Sequence, residues 1–211
     1  MAEFLPILKK TLNVEGGYQS FPQDVGNYTS SGKLVGTNKG IAAITLEAYL
    51  GREPSVAEMK ALTTEKATAI YRTLFWDRML GDLILSQSVA LIFWEAFVAS
   101  GNLMRPRKAI NKYYGKTVVS EKNLRFGNTE INYTNNADAR KLFNIAWQQE
   151  VDQRHARVAT NPSQAVFLAG WLNRLNSVKF TDNVTRNTVI TGLGLMLISF
   201  SLYLTYKYKL I

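Results

Sequence analysis

Between Asp82 and Arg105 the chain carries a single charge, Glu95, in a stretch that is otherwise almost wholly apolar. Within it, Val89, Leu91, Ile92, Phe93, Trp94, Phe97 and Val98 leave no polar face for a helix over Ser86 to Ser100. Such a helix does not lie on a surface, so the spacing predicts a central helix around which the others pack. A carboxylate on that helix must be hydrogen-bonded, ion-paired or protonated, because burying it bare costs several kcal/mol. The chain has 211 residues, 46% of them hydrophobic and 19% charged, which is enough for one well-cored domain with an appendage.

Helical periodicity also runs through Glu3 to Val14, Ile41 to Leu50, a Pro54-initiated turn to Leu62, Thr64 to Trp76, Arg105 to Tyr114, Asn136 to Ala159 and Pro162 to Leu175. The loop between the first two is rich in Gly, Ser and Asn, and its tracts around Gly26, Gly32 and Gly36 admit a short hairpin. Lys122 to Thr134 admits another, with its turn at Gly127-Asn128. The expected class is mainly α, with a small β-hairpin region and one C-terminal transmembrane helix. That last element is read from Asn187 to Tyr206, an uncharged stretch flanked by Arg186 and by Lys207 and Lys209. About 20 apolar residues suffice to cross a bilayer. Tyr203, Tyr206 and Tyr208 suit an interface, and the closing lysines an interior C-terminus. The competing reading is a buried core helix. Gly192 and Gly194 lack the spacing of a small-residue dimer motif. The segmentation is then a first domain over 1–115, a helical extension over 116–178, a hinge over 179–186 and the membrane helix over 187–206. The N-terminal Met-Ala-Glu-Phe-Leu-Pro does not read as a cleavable signal peptide.

The sequence contains no cysteine and one histidine, His155. Disulfides, thiolate metal sites, cysteine nucleophiles and multi-histidine metal centres are therefore excluded, a Ser/His triad would have His155 alone to draw on and is not expected, and neither metal nor cofactor is expected. Carboxylates and hydroxyls are what is left for chemistry. His155, with no motif around it, reads as a surface or interhelical residue. A formal charge of +9 favours a polyanionic partner: nucleic acid, an anionic membrane face or a bacterial wall. The basic residues (Lys9, Lys10, Arg105, Arg107, Lys108, Arg154, Arg157) are scattered without an aromatic platform, so nucleic acid is not the expected partner.

Glu15 closes the first helical pattern and is followed by Gly16-Gly17-Tyr18, the punctuation of a helix C-terminus. A carboxylate there, near the negative end of the helix dipole and beside Leu8, Leu12 and Val14, is disfavoured as an anion, which suits a general acid. A surface glutamate before a glycine cap fits the same spacing.

The wider pattern speaks for the first. Glu15-Gly16-Gly17-Tyr18, then Pro22 and Asp24, then Gly26-Asn27-Tyr28, and after a spacer Gly36-Thr37-Asn38-Lys39-Gly40-Ile41, resembles the N-terminal signature of the glycoside hydrolase family 108 muramidases. Ala69-Ile70-Tyr71-Arg72 with Phe75-Trp76 and Gly81-Asp82 is similar to that family's next helix, and Glu95 with Ser100-Gly101 to its central helix. Asn161-Pro162, Phe167-Leu168 and Gly170-Trp171-Leu172-Asn173-Arg174 are similar to its helical peptidoglycan-binding-type segment. The resemblance spans about residues 5 to 175.

It implies a lysozyme-like helical fold that hydrolyses the β-1,4 bond between N-acetylmuramic acid and N-acetylglucosamine. Carried onto matching positions, Glu15 becomes the catalytic acid and Asp24 the second catalytic carboxylate. Tyr18, Tyr28, Thr37, Asn38 and Glu95 become substrate-binding residues. The sequence departs from the pattern in a lengthened loop, Tyr28 to Val35, which leaves the carboxylate separation and thus a retaining or inverting outcome open. It departs also at Glu95, where Asp is usual, at Ala99 for Asn and at Asn111 for Gln. Trp171 admits a sugar platform, but beside Phe167 and Leu168 it reads sooner as packing. The expected partners are peptidoglycan, membrane lipid through 187–206 and proteins of a virion. The expected setting is a phage lysis enzyme or virion component held at a virion or host membrane, with a catalytically inactive wall-binding virion protein as the alternative.

Overall fold

In the computed structural model, which describes residues 1–14, 16–123 and 125–182, the helices run in the order α1 (Phe4–Val14), α2 (Ala43–Leu50), α3 (Val56–Lys60), α4 (Thr64–Tyr71), α5 (Gln87–Ser100), α6 (Met104–Tyr114), α7 (Asn128–Asn136), α8 (Ala139–Thr160) and α9 (Ala165–Asn176). Local chemistry sets many of the boundaries. Ser55, Thr63, Ser86 and Asp138 each accept a backbone N–H of the first turn that follows, and Gly51, Gly101 and Gly115 close helices in the left-handed conformation. A π-helical turn, Arg72–Trp76, continues α4. It delivers Arg72 Nε to Asp77 at 2.7 Å and Trp76 Nε1 to Asp82 at 2.8 Å.

α5 is the central helix, with ten consecutive residues from Ser88 to Phe97 buried. Trp94 meets Phe4, Tyr71, Phe75 and Trp76 at ring separations of 5.5 to 6.1 Å, and its indole N–H donates to Thr11 Oγ1 at 2.8 Å. That bond joins α1 to α5 with no polar group left unmade inside the cluster. Long α8 packs on α5, α6 and α9, turning in Leu142, Phe143, Ala146, Glu150 and Arg154.

Two expectations are corrected. Lys122 to Thr134 forms no hairpin: Gly127-Asn128 opens α7 instead, and Glu130 reaches back to accept the Gly127 N–H at 2.9 Å. Glu130, Ile131 and Thr134 then share a buried face, a helical and not a strand spacing. The second correction concerns the membrane helix in the fold class and the membrane-anchored localisation. Among the described residues no helix is long and apolar enough to cross a membrane. Apolar α5 is 14 residues long, roughly 21 Å at 1.5 Å per residue, against about 30 Å of hydrocarbon. α8 has the length but carries charges along it. Residues 187–206 lie outside the described residues, and the described residues are mainly α with no helix fit to span a membrane.

Candidate active site

After α1 the chain enters a segment organised by one amide side chain that sequence reasoning passed over. Gln19 pairs with Thr37 through its backbone in both directions, at 2.9 and 2.8 Å. Its Nε2 donates to Asp24 Oδ2 (2.9 Å) and to Asn27 Oδ1 (3.0 Å), while its Oε1 accepts from Asn27 Nδ2 (2.8 Å) and the Phe21 N–H (3.0 Å). Asn27 is fully buried, and its carbonyl accepts from the Val35 and Gly36 N–H groups. A buried and a half-buried amide with every group partnered fix a loop about as a small core would.

Gly36 sits at φ 94°, where a Cβ would come within 2.6 Å of the Gln19 carbonyl and 2.7 Å of the Tyr18 ring. Only glycine lets the two runs approach so closely. At the next turn Lys39 (φ 51°) and Gly40 (φ 72°) are both left-handed, and Asn38 and Ile41 exchange backbone hydrogen bonds across them. That is the pattern of a two-residue type I′ hairpin.

The candidate residues fall into two groups. Asp24 is exposed, and its two oxygens are held separately, Oδ1 by the Gly26 N–H at 3.0 Å and Oδ2 by Gln19. Thr37 is half-buried and its hydroxyl makes no hydrogen bond among the described residues. Tyr18 donates to the Val35 carbonyl at 3.2 Å, with Lys60 Nζ 5.1 Å over its ring; Tyr28 donates to the Pro22 carbonyl at 3.0 Å. Asn38 and Glu95 are buried. Asn38 Nδ2 donates to the Met59 and Lys60 carbonyls (2.8 and 3.2 Å), tying the hairpin to α3. Glu95 Oε2 accepts from Arg174 Nε of α9 at 3.1 Å. Glu15 lies outside the described residues.

The lengthened loop folds back on its neighbours. Thr29 and Ser31 donate to Glu53 at 3.0 and 2.9 Å, and the Ser30 N–H donates to Glu47 of α2 at 2.8 Å. The two hydroxyls hold the Glu53 carboxyl below its ordinary value, Ser31 first and then Thr29.

Asp24 faces onto a groove of about 750 Å³, within the roughly 300–1,000 Å³ of small-ligand sites. Its near wall is Gln19, Phe21, Gln23 and Val25, and its far wall is Arg157, Gln164, Phe167 and Trp171 of the C-terminal helices. Phe21, Val25 and Phe167 are exposed large apolar residues. Phe167 and Trp171 stack at 5.9 Å with planes 29° apart. Aromatic faces at the rim of a groove holding a carboxylate suit a pyranose chain, whose C–H faces are apolar and whose edges are polar. Asn111 likewise repays notice. Its amide spans Val118, Val119 and Glu121 at 2.9 to 3.1 Å, closing the loop after α6. Among the described residues no group of three or more His, Asp or Glu could hold a metal ion.

No curated protein matches the chain. It is similar to a solved structure titled "Structure of Brucella abortus SagA", at 29% identity and a TM-score of 0.65, over 82% of this chain and 89% of that one. Residues 8–101, the stretch that holds the Gln19 hub, Asp24, the Lys39-Gly40 turn and all of α5, match the family described as glycosyl hydrolase 108. Over this stretch the chain is similar to the glycosyl hydrolase 108 family, and the likeness supports a glycoside hydrolase that acts on peptidoglycan.

Proposed function

We propose that the enzyme is an N-acetylmuramidase that cuts the β-1,4 bond between N-acetylmuramic acid and N-acetylglucosamine in the groove flanked by Asp24 and Trp171. Glu15 donates the proton to the leaving oxygen. Asp24, fixed by Gln19 and the Gly26 N–H, supplies the second carboxylate, to orient water or offset the charge of the oxocarbenium-like transition state. A carboxylate held by two donors loses little freedom on reaching that state, which is how a preorganised group lowers a barrier. Tyr18, Tyr28 and Thr37 contact the sugars. Asn38 and Glu95 serve the same site from behind, the first by tying the hairpin to α3 and the second by holding Arg174.

The observation that carries this reading is the placement of the Asp24 carboxylate on a groove of saccharide dimensions with aromatic residues on its far wall. We propose further, from the resemblance in motifs, that the setting is a phage or prophage, as a lysis enzyme or virion component; probing purified virions for the chain separates the two.

The test is mass spectrometry of peptidoglycan digested by the wild type, Glu15→Gln and Asp24→Asn. Products with reducing N-acetylmuramic acid ends are expected from the wild type, with losses of at least about a hundredfold in each variant, the scale of general acid catalysis. Full activity in Glu15→Gln removes its role as proton donor. Products with reducing N-acetylglucosamine ends overturn the bond assignment, and no cleavage by any of the three leaves a wall-binding protein.

A further inference from the structure

The groove does not end at Trp171. A second concavity of about 230 Å³ shares Arg157 and Trp171 with it and adds Arg105, Arg154 and Arg174 along its walls. Its floor on the α5 side is apolar, from Val98 and Ala99. We propose that this arginine trough binds the carboxylates of the peptide stem carried by the muramic acid, so that the enzyme selects peptide-bearing over bare glycan; the proposal rests on the muramidase reading of the adjoining groove.

Three features make the trough a built site. Arg105 and Arg154 are held by one carboxylate oxygen, Glu150 Oε2, at 3.0 and 2.8 Å. Glu150 is fully buried, and its other oxygen is buried without a hydrogen-bond partner. A fully desolvated carboxylate pins the roots of the two guanidiniums beside it. Arg174 is anchored from behind by Glu95. Arg157 differs from these: it is exposed, it makes no ion pair among the described residues, and its guanidinium lies over the Trp171 ring at 5.0 Å.

A guanidinium held over an indole with no ion pair of its own among the described residues keeps N–H donors for an anion, and a guanidinium can grip a carboxylate with two parallel bonds. The ligand must therefore be anionic, planar at its charged end, and attached where the saccharide groove meets the trough. A peptide stem meets all three demands. It branches from every second sugar of the glycan, carries free carboxylates, and its aliphatic side chains suit Val98 and Ala99.

The experiment compares kcat/KM on soluble glycan fragments that keep their peptide stems with kcat/KM on the same fragments stripped by an amidase. Both come from walls first freed of phosphate polymers. The wild type is expected to prefer the peptide-bearing substrate by about tenfold, the equivalent of one charge-assisted hydrogen bond. Arg157→Ala is expected to bring the ratio within about threefold of unity. Lys116→Ala, which removes the same charge from an exposed site outside the trough, keeps the wild-type ratio. Equal rates on both substrates, or a ratio unmoved in Arg157→Ala, overturn the proposal while leaving the muramidase intact. If the wild type cuts neither substrate, the muramidase reading fails instead, and calorimetric titration with a free acidic stem tetrapeptide decides the trough. Heat seen with the wild type and lost in Arg157→Ala sustains it; no heat with the wild type sinks it.

Discussion

Two arginines, Arg107 of α6 and Arg157 of α8, show how one side chain serves opposite ends. Arg107 is 2% exposed. Its Nε donates to Glu130 at 2.9 Å, its two terminal nitrogens donate to the Lys122 and Arg125 carbonyls at 2.9 and 3.0 Å, and Phe126 covers it at 4.9 Å. Arg157 is exposed and rests on one face of Trp171. Where the chain's own acceptors consume the guanidinium donors, the residue closes a loop. Where they remain open beside an aromatic face in a groove, it is available to a ligand.

The largest effect expected from this contrast is on folding. Arg107→Ala should cost about 3–5 kcal/mol, because it leaves Glu130 and two loop carbonyls without a cationic partner in the interior. Denaturant unfolding measures it, and a cost below about 1 kcal/mol would erase the distinction between the two arginines. Glu150→Gln comes next. It keeps the shape under Arg105 and Arg154 but removes the charge, for a loss of about 1.5–3 kcal/mol. An unchanged stability would mean that the trough is not pinned from beneath.

A pH experiment sharpens the Arg107 side. Burial pushes the Glu130 carboxyl up, but hydrogen bonds from the Gly127 N–H, its own backbone and Arg107 outweigh it, leaving the group below its ordinary 4.5. A lowered folded value means that the stabilisation is complete above 4.5 and is lost as pH falls through the folded value. The gap in melting temperature between wild type and Glu130→Gln should therefore be full at pH 7 and shrink at pH 3. A gap that is constant over that span would show that the pair contributes no charge-dependent stability. The smallest effect is on the other side. Arg157→Ala should change stability by less than about 0.5 kcal/mol, as for a surface residue outside any network; circular-dichroism melts check this alongside the selectivity ratio. A loss of 2 kcal/mol would make Arg157 structural after all.

Parts of this architecture were legible residue by residue. The charge-poor run around Glu95 required a central helix and a partner for its carboxylate, and α5 and Arg174 supply them. Glycine spacing marked the loop of Gly26, Gly32 and Gly36, because left-handed backbone and close approach leave a compositional trace. Lys122 to Thr134 was misread because Gly127-Asn128 is a strong local turn signal, whereas the Arg107 guanidinium that holds the Lys122 and Arg125 carbonyls and Glu130 comes from α6. Gln19 carried no motif at all. A glutamine becomes a hub only once Asp24, Asn27 and Phe21 are folded around it.

Trp171 makes the same point for the site. Its neighbours Phe167 and Leu168 suggest packing, yet the groove wall opposite is Phe21, Asp24 and Val25, nearly 150 residues away in sequence. The sequence by itself narrowed the chemical type: without cysteine and with one histidine, it leaves carboxylates and hydroxyls for chemistry. It also determined the central helix and the glycine turns, since these depend on residue identity and near-neighbour spacing. The tertiary structure alone decided which arginines are sealed and which are open, and that Asp24 shares a groove with the C-terminal helices. Burial and pairing are sums over contacts between distant segments, and no local pattern encodes such a sum.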